Sequence, residues 1–110
     1  MELTHLGHAC VLVETADVRV LIDPGTFAGD FSPVRDLAAI VVTHQHADHL
    51  DPDRLPELVR ANPAAQVLCD PDSVAVLAGL GVDATTHAAE GTRIGDLRID
   101  PVGEVHALIH

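Results

Sequence analysis

The run Ala39-Ile40-Val41-Val42 places the strongest constraint on the fold of this 110-residue chain. All four side chains are apolar, so the alternation of polar and apolar residues in a half-exposed strand is missing. A short run of this kind is typical of a strand that is buried on both faces of a sheet. The run therefore predicts a buried strand in an α/β protein.

Short aliphatic runs on both sides of this strand predict the rest of a mixed sheet. Before it we expect strands at residues 3–6, 9–14 and 18–22, with a hairpin turn at Ala16-Asp17. After it we expect strands at 66–69, 84–88, 92–94, 97–102 and 105–109.

Helices are expected in three places, each with its own sequence signal. A short helix should occupy residues 34–37, and a second should begin near Pro56, with Asp51 as a cap upstream. A third should have Asp70 as its N-cap and Pro71 in its first position, and should end at the glycines that follow residue 78. Strands and helices in this order predict an α/β fold with flanking helices.

Composition limits the classes of function that fit the chain. Its length suits one domain, and 17 acidic against 6 basic residues give a formal charge of −11. Such a surface repels nucleic acid and anionic membranes, so we expect neither as a partner. Cys10 and Cys69 are far apart and fit small core residues, and no apolar run is long enough to span a membrane. We expect a cytoplasmic protein.

Directly after the buried strand comes Thr43-His44-Gln45-His46-Ala47-Asp48-His49. Residues two apart in extended backbone point to the same side, so the imidazoles of His44 and His46 can reach one metal ion. Asp48 and His49 follow where the chain must turn and can aim at a second point. The carboxyl end of a strand is also where α/β sheets place their ligand sites.

Nitrogen and carboxylate ligands without a thiolate suit Zn²⁺, Mn²⁺ or Fe²⁺. Two ions about 3.5–4 Å apart would clamp and activate a bridging water. A solvated polar loop is the alternative interpretation of this segment, but chance rarely gives this spacing behind a buried strand.

The segment Thr-His-x-His-x-Asp-His after a hydrophobic strand resembles the metallo-β-lactamase superfamily. Three further segments share the resemblance: Leu6-Gly7-His8-Ala9-Cys10, Val20-Leu21-Ile22-Asp23-Pro24 and Glu104-Val105-His106-Ala107. Together they are similar to the branch of ascorbate-6-phosphate lactonase. The resemblance implies a metal-dependent hydrolase that attacks an ester, lactone, amide or phosphoester bond of a small molecule.

The resemblance also implies a role for individual residues. His44, His46 and His106 would hold the first of two Zn²⁺ ions, and Asp48 and His49 the second, with Asp48 as the candidate catalytic residue. Two more residues would support them: Asp23 would orient a ligand histidine through its carboxylate, and His8 would lie near the site.

Several of these residues have a plainer interpretation. His106 could be a structural histidine, and Asp23 could serve the turn Asp-Pro-Gly without any metal. His5, His87 and His110 fit surface histidines, and Asp51 and Asp70 fit helix caps.

Because the family domain is about twice this length, the resemblance covers only the first half of an αββα sandwich. Residues 1–110 are thus expected to be a domain truncated on its C-terminal side, with too few ligands for the second metal and one apolar sheet face left bare. The alternative function is a half-domain that binds metal weakly without catalysis. A second copy or a complementing second half could then complete it.

Overall fold

A computed structural model describes residues 2–7, 10–25, 29, 33–43, 51–86, 92–95, 97–102 and 106–109. These residues form one six-stranded sheet, one three-stranded sheet and two helices. The large sheet contains β1 (Glu2–Gly7), β2 (Cys10–Glu14), β3 (Arg19–Ile22), β4 (Ala39–Val42), β5 (Gln66–Cys69) and β6 (Thr85–Thr86). The small sheet contains β7 (Thr92–Ile94), β8 (Leu97–Val102) and β9 (His106–Ile109), and the helices are α1 (Leu55–Ala61) and α2 (Ser73–Gly79).

The six strands of the large sheet lie side by side in the order of the chain. β1, β2 and β3 form an antiparallel meander, whereas β3, β4, β5 and β6 run parallel to one another. The predicted mixed sheet with flanking helices is therefore confirmed, and the fold is α/β.

Burial of β4 on both faces, predicted from its composition, is also confirmed, because all four of its side chains are fully buried. Alternate residues belong to different clusters. Ile40 and Val42 pack in the cluster that holds the buried leucines of α1 and α2. Ala39 and Val41 pack in a second cluster together with Ile94 of the small sheet. The large sheet thus has the helices on one face and Ile94 of the small sheet on the other.

The expectation of a bare apolar face is wrong for the large sheet. Val13, Val20 and Leu68 on the face opposite the helices are each at most 1% exposed. Among the residues whose exposure the structure describes, Leu3 and Val76 are the large hydrophobic ones that remain exposed. Ile94 of the small sheet packs in the cluster of that face.

The hairpin turn between β2 and β3 forms where the sequence predicted it. The Thr15 hydroxyl accepts hydrogen bonds from the backbone N–H groups of Asp17 and Val18, at 3.1 and 3.0 Å. The N–H of Thr15 donates to the carbonyl of Val18 at 2.9 Å and closes the turn. A threonine that bonds to nearby backbone in this way is ordinary turn chemistry.

The short helix expected at residues 34–37 is wrong, because this segment is an irregular connection to β4. Its backbone is bonded to distant side chains instead of to itself. The amide of Asn62 donates to the Val34 carbonyl at 3.1 Å and accepts from the Leu37 N–H at 3.2 Å. Asp36 has a φ of +61°, in the left-handed region, which a right-handed helix does not allow.

Helix α1 begins one residue before Pro56, so the expected start is confirmed and the proline lies in the first turn, where its missing N–H costs nothing. Helix α2 ends at Gly79, as predicted. Its N-cap is Asp72, however, and not Asp70, so the prediction for that end is wrong. The Asp70 carboxylate accepts a hydrogen bond from the Ser73 hydroxyl, and the two residues between them form a turn.

Neither helix of the described residues has the length and apolar character that a membrane crossing requires. The cytoplasmic location stays a prediction.

Candidate metal centre

Polar residues collect at one edge of the large sheet, where its parallel strands end. Asp23 follows β3, Thr43 follows β4 and Asp70 follows β5. All three are buried, with 4–8% of their surface exposed. Cys10 lies at the same edge, because β2 runs antiparallel to β3 and Val11 pairs with Ile22. We call this side of the sheet the carboxyl edge.

Asp23 joins the ends of β3 and β4 through its side chain. One carboxylate oxygen accepts the backbone N–H of Thr43 at 2.7 Å, and the other accepts the Thr43 hydroxyl at 2.6 Å. The backbone of Asp23 has a φ of +49°, and its carbonyl accepts the N–H of Gly25 at 2.8 Å, so the turn expected from Asp-Pro-Gly also forms. Asp23 therefore serves the turn and fixes the residue that directly precedes His44.

Asp51 is the first described residue after residues 44–50, and it is also buried. One of its carboxylate oxygens accepts the N–H groups of Asp53 and Arg54, at 2.8 and 3.0 Å. The other accepts Nε of Arg54 at 2.6 Å. Burial raises the pKa of the Asp51 carboxyl, but the hydrogen bonds from Arg54 and Asp53 outweigh it and leave the pKa below its usual value. Asp51 is therefore ionised at neutral pH.

Arg54 is a residue of this region that the sequence analysis missed. Its signal is the spacing of Asp51 and Arg54, three apart and directly after the motif, in a chain with only six basic residues. Its guanidinium also contacts backbone carbonyls far away in the sequence, which no residue pattern indicates.

The two cysteines of the carboxyl edge are free thiols, and both are buried. Burial, with a smaller contribution from the charge of Asp23, raises the pKa of Cys10 to about 12, although Arg54 opposes the shift. Burial, and then the charge of Asp70, raises the pKa of Cys69 to about 11. Both thiols are therefore protonated at neutral pH, which fits the prediction of core residues.

Most of the predicted ligands lie outside the described residues, namely His44, His46, Asp48 and His49, and so does His8. His106 is the first residue of β9, and its backbone pairs with Val102. Within the described part of the chain, no three His, Cys, Asp or Glu residues group as a metal site. The ligand assignments therefore stay predictions, and the structure describes the Asp23–Thr43 contact beside them.

A family model for the beta-lactamase superfamily domain matches residues 2–108. The chain belongs to this family. The resemblance inferred from the histidine motif is thereby confirmed, and the sheet described above is part of the beta-lactamase superfamily domain.

Relatives of this beta-lactamase superfamily domain include Protein Rv0786c of Mycobacterium tuberculosis. It is 43% identical over the whole chain, which spans 51% of that protein's length. A UPF0173 metal-dependent hydrolase of Saccharolobus solfataricus is 40% identical over 83 residues, which are 70% of this chain and 36% of that protein. The chain therefore spans about half, or less, of the length of these relatives.

Solved structures with the same fold include Igni18, a metallo hydrolase from Ignicoccus hospitalis. It has a TM-score of 0.69 and 20% identity, and the match covers 98% of this chain and 55% of that one. CmlA, a diiron beta-hydroxylase from Streptomyces venezuelae, has a TM-score of 0.76 and 22% identity, and the match covers 98% of this chain and 27% of that one. The strands and helices of the beta-lactamase superfamily domain thus recur in proteins named for different reactions.

Proposed function

We propose that this chain is the metal-binding part of a metal-dependent hydrolase. The observation that supports the proposal most directly is the position of the histidine motif. Residues 44–49 follow the fully buried strand β4 at the carboxyl edge, and the Asp23 carboxylate holds the backbone of Thr43 immediately before them. A rigid strand and an anchored first residue are what a metal site needs in order to keep its ligands in place.

The donor set of the motif fits a metal of the zinc type. Three imidazoles and one carboxylate within six positions, with no thiolate among them, match Zn²⁺ and also Mn²⁺ or Fe²⁺. His44, His46 and His106 would hold one ion, and Asp48 and His49 would contribute to a second. Bound metal would supply an activated water and polarise the attacked oxygen of the substrate.

The substrate class in this proposal is a small molecule with an ester, lactone, amide or phosphoester bond. Relatives named metal-dependent hydrolases support the hydrolytic reaction but do not distinguish these bonds. The motif segments are similar to ascorbate-6-phosphate lactonase, and this similarity favours a lactone among the four bonds.

Metal analysis of the purified chain tests the proposal. We expect at least one equivalent of Zn, Mn or Fe per chain after dialysis, and loss of that metal in His46→Ala. His5→Ala is the matched control, because His5 lies in the middle of β1 and is exposed. Absence of stoichiometric metal from the wild-type chain, or equal metal content in His46→Ala, would contradict the proposal.

A second candidate is a half-domain that binds metal weakly and needs another chain for catalysis. The proposed ligand set supports this candidate, because only Asp48 and His49 belong to the second metal and two ligands hold an ion weakly. It predicts metal binding without hydrolysis by the isolated chain, and association with a second copy or with a complementing segment. Hydrolysis of a lactone or phosphoester by a monomer, lost in His46→Ala, would exclude it in favour of the first candidate.

A further inference from the structure

The turn at residues 23–25 contacts the chain on both sides of the histidine motif. On the upstream side, the Asp23 carboxylate accepts both polar groups of Thr43, as described above. On the downstream side, the N–H of Asp51 donates to the carbonyl of Pro24 at 2.9 Å. Thr43 and Asp51, the residues on either side of 44–50, therefore both contact one three-residue turn.

Arg54 strengthens the downstream connection with three hydrogen bonds. Its Nε donates to the Asp51 carboxylate at 2.6 Å, its second nitrogen to the Gly25 carbonyl at 2.9 Å, and its third to the Gly29 carbonyl at 3.0 Å. The planar guanidinium suits several acceptors in fixed directions, which a lysine ammonium does not reproduce. Residues 51–54 are thus tied to the segment that follows β3.

The segment that receives Arg54 is itself held against the sheet. The N–H of Gly29 donates to the carbonyl of Leu6 in β1, and a Cβ atom at position 29 would lie 2.9 Å from that oxygen. Only a glycine allows so close an approach, so position 29 fixes one acceptor of Arg54 relative to β1.

Asp51 caps the turn that leads into helix α1, because its carboxylate accepts the N–H groups of residues 53 and 54. This role does not explain the contacts of the Arg54 side chain with distant carbonyls. Arg54 is the N-cap residue of α1, but its side chain makes no capping bond to the helix. Two of its three hydrogen bonds go instead to the carbonyls of Gly25 and Gly29, which are far away in the sequence. Side chains that bury charge beside a loop commonly fix the geometry of that loop.

We propose that Asp51 and Arg54 are positioning residues for the motif: they fix its downstream end and thereby set its affinity for metal. The inference rests on the proposed function, because it assigns to these residues the placement of the His44–His49 ligands. Neither side chain is a ligand in this scheme, and both act by fixing the backbone at residue 51, where the described chain follows the motif.

Cobalt binding to the purified chain tests the inference, with Co²⁺ titrated against a competing chelator. Arg54→Met and Asp51→Asn should each weaken Co²⁺ affinity by about 10–100-fold and alter the visible absorption of bound Co²⁺. Arg60→Met in α1 and Asp53→Asn just before it are matched controls at exposed positions, and both variants should bind Co²⁺ as the wild type does. Circular dichroism checks the fold of each variant.

If Arg54→Met does not fold, Arg54→Lys tests the positioning role of Arg54. It keeps the charge but loses the three-way contact, so we expect weaker Co²⁺ binding and a changed spectrum in a folded chain. Wild-type affinity and spectrum in Arg54→Lys or Asp51→Asn would overturn the inference and leave the proposed function intact. Absence of Co²⁺ binding by the wild type would overturn the proposed function, and the inference with it.

Discussion

The loops at the two ends of the parallel strands are held in place by different kinds of side chain. At the carboxyl edge, three buried carboxylates take part, namely Asp23, Asp51 and Asp70. At the opposite edge, β4 and β5 begin. Among the described residues there, the buried polar side chain is that of Asn62, which carries no charge. The ion pair of that edge, Glu14 with Arg19, is about one third exposed on each side.

Buried charge is a costly way to fasten a loop, because each charged group must leave water. At the opposite edge, the neutral amide of Asn62 holds a loop in place through hydrogen bonds to backbone carbonyls. The buried carboxylates of the carboxyl edge therefore suit a demand other than stability, and the metal site that we propose for the neighbouring motif would supply that demand.

Alkaline pH should produce the largest effect, and it concerns the carboxyl edge alone. The chain has no lysine and no tyrosine, so above pH 8 Cys10 and Cys69 are its main titrating side chains. Their pKa values are raised in the folded state, so the stability that they contribute is complete below the ordinary thiol pKa and falls as pH rises above it. Between pH 8 and 10, the free energy of unfolding should fall by roughly 4 kcal/mol.

Urea unfolding under reducing conditions measures this dependence. Cys10→Ala and Cys69→Ala should each remove about half of the fall, and the double variant should remove most of it. A wild-type chain with equal stability at pH 8 and pH 10 would show that the thiols at this edge are not shielded from water.

The amide of the opposite edge should give the next largest effect. Asn62→Ala leaves the N–H of Leu37 and the carbonyls of Val34 and Leu58 without this partner in a buried setting. The free energy of unfolding should fall by roughly 2–4 kcal/mol. Chemical denaturation measures the change, and Co²⁺ affinity of the folded fraction should equal that of the wild type. A large fall in affinity would remove the functional distinction between the two edges.

The partly exposed ion pair of Glu14 and Arg19 should have the smallest effect on the free energy of unfolding. Glu14→Gln removes the charge that faces Nε of Arg19 at 3.1 Å. Exposed pairs of this kind contribute about 0–1 kcal/mol, and salt weakens them further. Denaturation at low and high ionic strength should therefore show a change below about 1 kcal/mol that shrinks in salt. A change as large as that of Asn62→Ala would mean that charge fastens both edges.

The strands were predictable from sequence because their signal is local. The apolar residues of β4 and the limits of β5, β7 and β8 followed from composition and turn residues alone. The histidine motif likewise identified the family without any structure, since its residues are close in sequence.

The errors of prediction come from contacts between distant residues. Residues 34–37 lack a helix because Asn62, more than twenty positions later, takes up their backbone groups. Ile94 of the small sheet packs on the large sheet more than fifty positions after β4, a contact that no local pattern indicates. Arg54 was missed for the same reason, since its acceptors are backbone carbonyls that every residue has.

The turn at residues 23–25 has a consequence for protein engineering. A designer who transplants residues 43–49 into another scaffold would carry the histidines but leave behind the turn at residues 23–25, whose Asp23 anchors Thr43 from 20 positions upstream. The smallest transferable module is therefore discontinuous, with a three-residue turn on one strand and the motif on the next. A search for related histidine motifs gains specificity when it requires both segments at this separation.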